Sequence, residues 1–209
     1  MYVRRTLTKG SPDRIDDAKR IIKDTTVPMV QELPGFLGGY WLADPKTGEG
    51  LSVTFFDSKE ALEATAQKAG EIRTTTTQKI GGLEVLGVEH LEVIASTGDK
   101  VHRSAMAARV INFESDPAKV EDGIKNFNEN VIPGVSKITG FQGGFWAVNR
   151  STGKGFGVTL YDTPASVEAS REASKQLRER TAQTTGATVS EPREYEVIGR
   201  ALATAGTPG

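Results

Sequence analysis

Cysteine is absent from the 209-residue chain, and histidine occurs only at His90 and His102. The lack of cysteine excludes disulfides, thiolate metal sites and cysteine nucleophiles. With only two histidines, a histidine-rich metal site is excluded as well. We therefore expect neither a bound metal nor a cofactor.

Charge, hydropathy and glycine patterns exclude further classes of protein. Lys and Arg number 26 and Asp and Glu number 27, so there is no excess of positive charge for nucleic acid. No apolar run approaches the roughly 18 residues of a membrane helix, and the first residues lack the apolar core of a signal peptide. The glycine pairs match neither a phosphate loop nor a dinucleotide fingerprint. The sequence thus predicts a cytoplasmic protein that binds neither nucleic acid nor membranes.

The most informative feature that is present is a long internal repeat. The segment FLGGYW at residues 36–41 returns as FQGGFW at residues 141–146, a shift of 105 residues. The match continues from TGEG at residues 47–50 to TGKG at residues 152–155. This period is about half the chain and too long for a solenoid unit, so it indicates two copies of one small domain.

Each half is predicted to follow the order βαββαβ, which is ferredoxin-like. In the first half, the strands are expected at residues 2–8, 36–43, 51–56 and 84–94, and their copies at 107–113, 141–148, 156–161 and 191–198. One helix lies between the first two strands and another between the last two. Pro28 and Pro133 predict that the first helix of each half kinks or ends near residues 26 and 131.

Side-chain alternation in the third strand predicts which face meets the helices. Leu51, Val53 and Phe55 alternate with Ser52 and Thr54, which is the period of a strand. We expect the apolar set to face the helices and the hydroxyl set to face the other way.

The domain organisation follows from the repeat. The first repeat is expected at residues 1–95, a linker at 96–104, the second repeat at 105–201 and a flexible tail at 202–209. A four-stranded sheet with helices on one side leaves its other face apolar, and that face must be covered. We therefore expect the two halves to pair with each other, and a further homodimer is possible.

The glycines and aromatic residues of each half resemble those of antibiotic-biosynthesis-monooxygenase-like domains, which belong to the dimeric α/β-barrel superfamily. The residues that carry the resemblance in the first half are Pro34-Gly35-Phe36, Gly38, Gly48, Gly50, Phe56-Asp57 and Glu60-Ala61. The second half carries a weaker version from Gly140 to Ala169. The resemblance implies an α+β fold in which two ferredoxin-like repeats form one intramolecular α/β barrel.

Trp41 and Trp146 are the only tryptophans, and they occupy the same place in each copy. Either indole could form the wall of a pocket for a flat aromatic ligand, or both could be ordinary core residues. The resemblance implies a tryptophan and an asparagine near the ligand, although no asparagine here lies in a motif that carries the role over. We take Tyr40, Phe145 and Asn149 as further candidate ligand-binding residues.

His90 and Tyr195 are the candidate proton-transfer residues. His90 lies on the last strand of the first half, where it could act as a general base or be an ordinary surface residue. Its counterpart is Tyr195 at a shift of 105 residues or Glu194 at a shift of 104. Haem degraders of the family ligate iron through a helical histidine, and neither histidine here lies on a predicted helix, which argues against haem.

Three functions are compatible with these features. The first, implied by the resemblance, is a cofactor-independent monooxygenase acting on a small aromatic or enolisable compound. The second is a non-catalytic binder of a small apolar ligand that uses the same pocket. The third is a structural or stress-associated barrel in which side chains fill the pocket.

Overall fold

The structure is a computed structural model, and it describes residues 1–97 and 104–203. Most of the expected linker at 96–104, including His102, and most of the expected tail at 202–209 lie outside the described residues.

The first half of the described chain contains four strands and four α-helices. Their bounds are β1 (Tyr2–Lys9), α1 (Ile15–Ile21), α2 (Val27–Gln31), β2 (Phe36–Ala43), β3 (Glu49–Phe56), α3 (Lys59–Ala64), α4 (Ala66–Ile80) and β4 (Glu84–Ser96). A 3₁₀ turn at Pro12–Arg14 precedes α1, and a π-helical segment at Ile22–Thr26 joins α1 to α2. The order of strands and helices agrees with the predicted βαββαβ.

The second half repeats this order and adds one short strand. Its elements are β5 (Ala107–Glu114), α5 (Val120–Asn126), α6 (Ile132–Val135), β6 (Phe141–Val148), β7 (Lys154–Tyr161), α7 (Pro164–Ala169), α8 (Arg171–Thr185), β8 (Thr188–Val189) and β9 (Arg193–Leu202). A 3₁₀ turn at Pro117–Lys119 and a π-helical segment at Phe127–Val131 recur at the places expected from the repeat.

The described residues form two compact units. The first unit contains Met1–His90 and the chain from Glu196 onward, and the second contains Leu91–Tyr195. The division therefore falls inside β4 and inside β9, whereas the sequence placed the boundary in the linker after residue 95. Strand β4 therefore begins in the first unit and ends in the second, and strand β9 begins in the second unit and ends in the first.

Strand pairing explains this division. In the first unit β3 pairs with β1 and β2, and β2 pairs with the end of β9. In the second unit β7 pairs with β5 and β6, and β6 pairs with the end of β4. The hydrogen-bonded order β7-β6-β4-β1-β3-β2-β9-β5 returns to β7, as in a closed eight-stranded antiparallel barrel. The predicted fold class, α+β with two ferredoxin-like repeats in one α/β barrel, is confirmed.

For the helices that contain Pro28 and Pro133, the prediction was a kink or an end near residues 26 and 131, and the kink stays a prediction. They do not end near residues 26 and 131, because α2 and α6 continue to Gln31 and Val135. The five residues before each of these helices are π-helical instead. A proline has no backbone N–H to donate, and its ring crowds the carbonyl four residues earlier. A π-helical segment is one way for a helix to accommodate the interrupted backbone hydrogen bonding.

The predicted orientation of β3 is wrong. Ser52 pairs with Trp41, and Trp41 packs with Ile22 and Ile72 of the helix layer. The hydroxyl set therefore faces the helices, and Val53, which is fully buried, faces the other way. Alternation predicts the core side only where one face meets water, and here both faces of the strand are largely buried.

Candidate functional site

Each unit contains a cavity between the helix-facing side of its strands and its helices. The cavity of the first unit has a volume of about 120 Å³ and that of the second about 100 Å³. An apolar cavity of about 150 Å³ is known to hold benzene, so each space suits roughly one aromatic ring. We refer to them as the first and second cavities.

The first cavity has a polar floor and an apolar roof. Trp41 lies at the wall, and hydroxyl and arginine side chains of β1 and β3 lie on the floor: Arg4, Thr6, Thr8, Ser52 and Thr54. The roof consists mainly of Ile15, Ala18 and Ile22 from the first helix and Ile72 from α4. Arg73 of α4 also contributes to the lining. This cavity can therefore hold an apolar ring and a polar group at the same time.

The second cavity is more aromatic. Ile111 and Phe113 stand where the first cavity has Thr6 and Thr8. The ring centroids of Phe113 and Phe127 are 5.9 Å apart, and those of Phe127 and Trp146 are 5.3 Å apart. Aromatic contacts of this kind stabilise a core beyond the area that they bury.

Trp146 lies flat against β7 because residue 157 is glycine. A Cβ atom at Gly157 would lie 2.3 Å from Cδ1 and 2.5 Å from Nε1 of the indole. The corresponding residue in the first unit is Ser52, so Trp41 cannot approach β3 in the same way. The two tryptophans thus occupy equivalent positions in different packing environments.

Arg4 is a buried cation with an incomplete set of partners. Its side chain is 3% exposed, and Nη2 donates to the carbonyl of Leu62 and to Oγ1 of Thr65, at 2.5 and 3.1 Å. Nε donates to Nε2 of His90 at 3.3 Å, and the guanidinium lies 5.0 Å from the ring centroid of Phe56. Nη1 is buried and has no hydrogen-bond partner.

Arg109 occupies the equivalent position in the second unit, and both of its terminal nitrogens have partners. Nη1 donates to the hydroxyls of Tyr161, Ser170 and Ser174, and Nη2 donates to the carbonyl of Val167. Nη2 also forms an ion pair with Glu194 at 3.1 Å. The charge of Arg109 is therefore compensated inside the unit.

The difference in partners is reflected in the protonation equilibria. Burial, and then the charge of Arg73, lower the pKa of Arg4 to about 10. Burial also lowers the pKa of Arg73, and we find no hydrogen bond or ion pair of that side chain within residues 1–97 and 104–203. In contrast, hydrogen bonds from Arg171 and Arg109 lower the pKa of the Glu194 carboxyl.

Of the predicted ligand-binding residues, the two tryptophans line cavities and the other three do not. Trp41 contributes to the first cavity and Trp146 to the second. Tyr40 and Phe145 precede them in the strands, so they lie on the opposite face, where both are buried. Asn149 lies in the turn after β6, where its Oδ1 accepts from the backbone N–H and hydroxyl of Ser151.

The two predicted proton-transfer residues lie outside the described linings of both cavities. His90 is exposed on β4 and reaches the first cavity only through Arg4. Burial, and then the charges of Arg4 and Arg73, lower the pKa of His90. Tyr195 is 8% exposed on β9. The residue that takes the place of His90 against the equivalent arginine is Glu194, so the shift of 104 residues describes this strand.

Sequence reasoning missed the equivalent pair of buried arginines. The available signal was a cation inside a short apolar strand at the same place in each copy, Arg4 and Arg109. Charged residues are almost never fully buried unless they are paired, so such a position merits attention even before the structure is known.

Two further observations limit the kinds of site. No group of three His, Asp or Glu side chains that could hold a metal ion occurs in the described part of the chain. Among the same residues, no helix is both long enough and apolar enough to cross a membrane.

The two ferredoxin-like repeats and the closed order of the strands define the class of the fold. It is the dimeric α/β barrel of proteins related to antibiotic biosynthesis monooxygenases, as the sequence resemblance implied. An anthrone oxidase-like protein has this fold, with a TM-score of 0.65, 14% identity, and coverage of 97% of this chain and 93% of its own.

Two Listeria monocytogenes proteins have the same fold at lower similarity. One is an uncharacterized ferredoxin fold protein related to antibiotic biosynthesis monooxygenases, with a TM-score of 0.52, 9% identity and coverage of 93% and 94% of the two chains. The other is the heme-degrading enzyme LmHde, with a TM-score of 0.50, 9% identity and coverage of 94% and 99%. At these identities the likeness concerns the fold alone.

Comparison of sequences gives relatives without an assigned activity. The chain is 26% identical over 199 residues to the uncharacterized protein Rv2557 of Mycobacterium tuberculosis, covering 94% of this chain and 87% of that protein. It is 20% identical over 198 residues to the uncharacterized protein Rv2558 of the same organism, covering 94% and 83%. No protein-family model matches the chain.

Proposed function

We propose that this protein binds a small flat compound in the cavities walled by Trp41 and Trp146. The observation that carries the proposal is that an indole lines an apolar space of about 120 Å³ in the first unit and about 100 Å³ in the second. Concave, mostly apolar spaces with a few polar groups are typical of ligand sites. Their volumes favour compounds with one aromatic ring over a polycycle.

The two tryptophans provide a direct test, because each reports on one cavity. In a ¹H–¹⁵N spectrum, Trp41→Phe and Trp146→Phe variants assign the two indole resonances. Toluene, phenol and benzamide, added to concentrations on the order of 1 mM or above, are expected to shift at least one indole resonance saturably. Binding should also raise the melting temperature. If all three compounds leave both resonances and the melting temperature unchanged, a structural barrel is the better description.

A cofactor-independent monooxygenase is the second candidate function. It is favoured by the fold, which is shared with an anthrone oxidase-like protein, and by His90, which contacts the cavity-lining Arg4. In this reaction an enolisable CH₂ group would lose a proton to a base and the resulting carbanion would pass an electron to dioxygen. Recombination to a peroxide and loss of water would leave a carbonyl, so one oxygen atom enters the product and the other leaves as water.

His90 and Tyr195 remain the proposed bases for that reaction, although neither contributes to the described cavity linings. The probe is phenylpyruvate, which has one ring and an enolisable CH₂ group. The protein, treated with a chelator, should accelerate oxygen consumption above the rate without protein, and His90→Gln should reduce that rate by about tenfold or more. A rate equal to the protein-free control would leave binding as the function.

A further inference from the structure

We infer that the first cavity is specific for a small aromatic carboxylate, with Arg4 and Arg73 as its cationic contacts. The inference rests on the proposed binding function and names the class of ligand for one of the two cavities. Three observations on the first unit support it.

The first observation is the unsatisfied donor on Arg4. The side chain lines the cavity and is 97% buried, yet Nη1 has no hydrogen-bond partner. An uncompensated buried charge is costly, and buried cations are normally paired. A carboxylate that reached Nη1 from the cavity would accept from it and neutralise the guanidinium, and Arg–carboxylate pairs are among the strong hydrogen bonds in proteins.

The second observation is that the lining carries positive charge without negative charge. Arg73 joins Arg4 in the lining, and the described lining of this cavity includes no Asp or Glu. Arg14 also contributes, but it already forms an ion pair with Asp17 at 2.8 Å. Neither Arg4 nor Arg73 forms an ion pair with a carboxylate within the described residues, and the charge of Arg73 disfavours that of Arg4. A bound anion would relieve both effects.

The third observation is the polarity of the floor. Thr6 and Thr8 lie on the same strand as Arg4, and Ser52 and Thr54 lie on the neighbouring strand β3. Their hydroxyls can donate to a second carboxylate oxygen or hold a water that does so. The ring of the ligand would then lie near Trp41 and beneath the isoleucines, within a volume that suits about one ring.

The second cavity is an internal reference: its described lining also carries cations without Asp or Glu, but two of these cations pair with acids that lie outside the lining. Glu194 already pairs with Arg109, and Ile111 and Phe113 replace the two threonines of β1. Arg178, the counterpart of Arg73, lies 3.9 Å from Glu191. The same fold thus pairs the buried arginine with an acid in the second unit and leaves the equivalent arginine without one in the first.

The test compares benzoate with benzamide, which has nearly the same shape and no charge. Their dissociation constants are measured from the Trp41 and Trp146 indole resonances of the full chain. We expect benzoate to bind near Trp41 about tenfold or more tightly than benzamide, and to show no such preference near Trp146.

Three variants identify the cations responsible. His90→Glu places a carboxylate beside Arg4, as Glu194 lies beside Arg109, and should remove most of the preference for benzoate. Arg73→Gln should reduce the preference by about threefold or more, because it removes one of two charges. Arg178→Gln is the matched control in the second unit and should leave the Trp41 measurement unchanged. None of these variants removes Arg4, so the guanidinium under test is present in all of them.

The outcomes separate this inference from the proposed function. Shifts with benzamide and equal or weaker binding of benzoate near Trp41 would overturn the carboxylate specificity and leave the binding function standing. A preference for benzoate that survives in His90→Glu and Arg73→Gln would overturn the assignment of Arg4 and Arg73. If neither compound nor the neutral panel binds, the binding function itself fails.

Discussion

Arg4 and Arg109 occupy the same position in the two units, but only Arg109 is neutralised. Arg109 has Glu194 as an ion-pair partner, whereas Arg4 has His90, whose pKa is lowered by burial and by the neighbouring arginines. A single position on the last strand therefore decides whether the buried guanidinium is compensated. The comparison teaches that two units with the same fold can differ in the electrostatics of the same buried position.

The residues around each arginine show the same divergence. The hydroxyls of Ser170 and Ser174 accept hydrogen bonds from Arg109, but their counterparts around Arg4 are Thr65, which also accepts, and Ala69, which has no hydroxyl. The second unit thus surrounds its arginine with hydroxyls and an acid, which stabilises the fold. The first unit leaves a donor unsatisfied beside a cavity, and such a cost to stability is a common feature of functional sites.

The two units also differ in their aromatic packing. In the second unit, Phe113, Phe127 and Trp146 form a contiguous cluster. In the first unit the corresponding residues are Thr8, Ile22 and Trp41, so the indole lacks aromatic neighbours in the cavity. We therefore expect the second unit to contribute more to stability and the first to be the more selective binding site.

The largest difference between the units should appear when each arginine is replaced by methionine. Arg109→Met removes an ion pair with Glu194 and the guanidinium donor to the Val167 carbonyl and to three hydroxyls, so the free energy of unfolding should fall by about 3 kcal/mol. Arg4→Met removes a buried charge that no acid compensates, and its cost should be below about 1 kcal/mol. Urea denaturation followed by tryptophan fluorescence measures both.

Arg109→Lys is a control that keeps the charge and removes the planar guanidinium. Its free energy of unfolding should lie between those of the wild type and Arg109→Met. Equal losses for Arg4→Met and Arg109→Met would contradict the asymmetry on which the comparison depends.

The fold was predictable because its signals are local and repeated. The match of FLGGYW with FQGGFW, and the turn glycines near Gly48 and Gly153, mark corresponding strands without any knowledge of tertiary contacts. The orientation of β3 was not predictable from alternation, because both of its faces are largely buried and hydrophobicity does not distinguish them. The division inside β4 and β9 depends on long-range pairing that the sequence pattern does not encode.

The candidate site was predictable only in part. The repeated tryptophans led to the walls of both cavities, because a large aromatic at equivalent strand positions must lie in a packed layer. Arg4 and Arg109 were missed because their significance depends on partners 85 or more residues away, His90 and Glu194. No single-sequence pattern distinguishes a compensated arginine from an uncompensated one.

A second prediction concerns the different packing environments of the two tryptophans. Gly157→Ser places atoms about 2.3 Å from the Trp146 indole, so the ring must move and the free energy of unfolding should fall by about 1–3 kcal/mol. The reciprocal change, Ser52→Gly, adds space beside Trp41 and should cost less than about 1 kcal/mol, mainly through backbone entropy. Indole resonances report the movement, and an unshifted Trp146 resonance in Gly157→Ser would show that the contact is not tight.

The smallest expected effect is a difference in the pH range in which each unit loses stability. The pKa of His90 lies below its ordinary 6.5 in the folded state, because of burial and the charges of Arg4 and Arg73. The unfolded chain therefore binds a proton first, and stability decreases as the pH falls below about 6.5. The pKa of Glu194 lies below its ordinary 4.5, because Arg171 and Arg109 donate to its carboxylate, so its contribution is lost only as the pH falls below that value.

Urea midpoints measured across this range should decline less between about pH 6.5 and 5 in His90→Gln, and less below about pH 4.5 in Glu194→Gln. Because His90 is exposed, its effect should be the smaller of the two, and a wild-type profile that His90→Gln leaves unchanged would show that Arg4 does not disfavour the imidazolium.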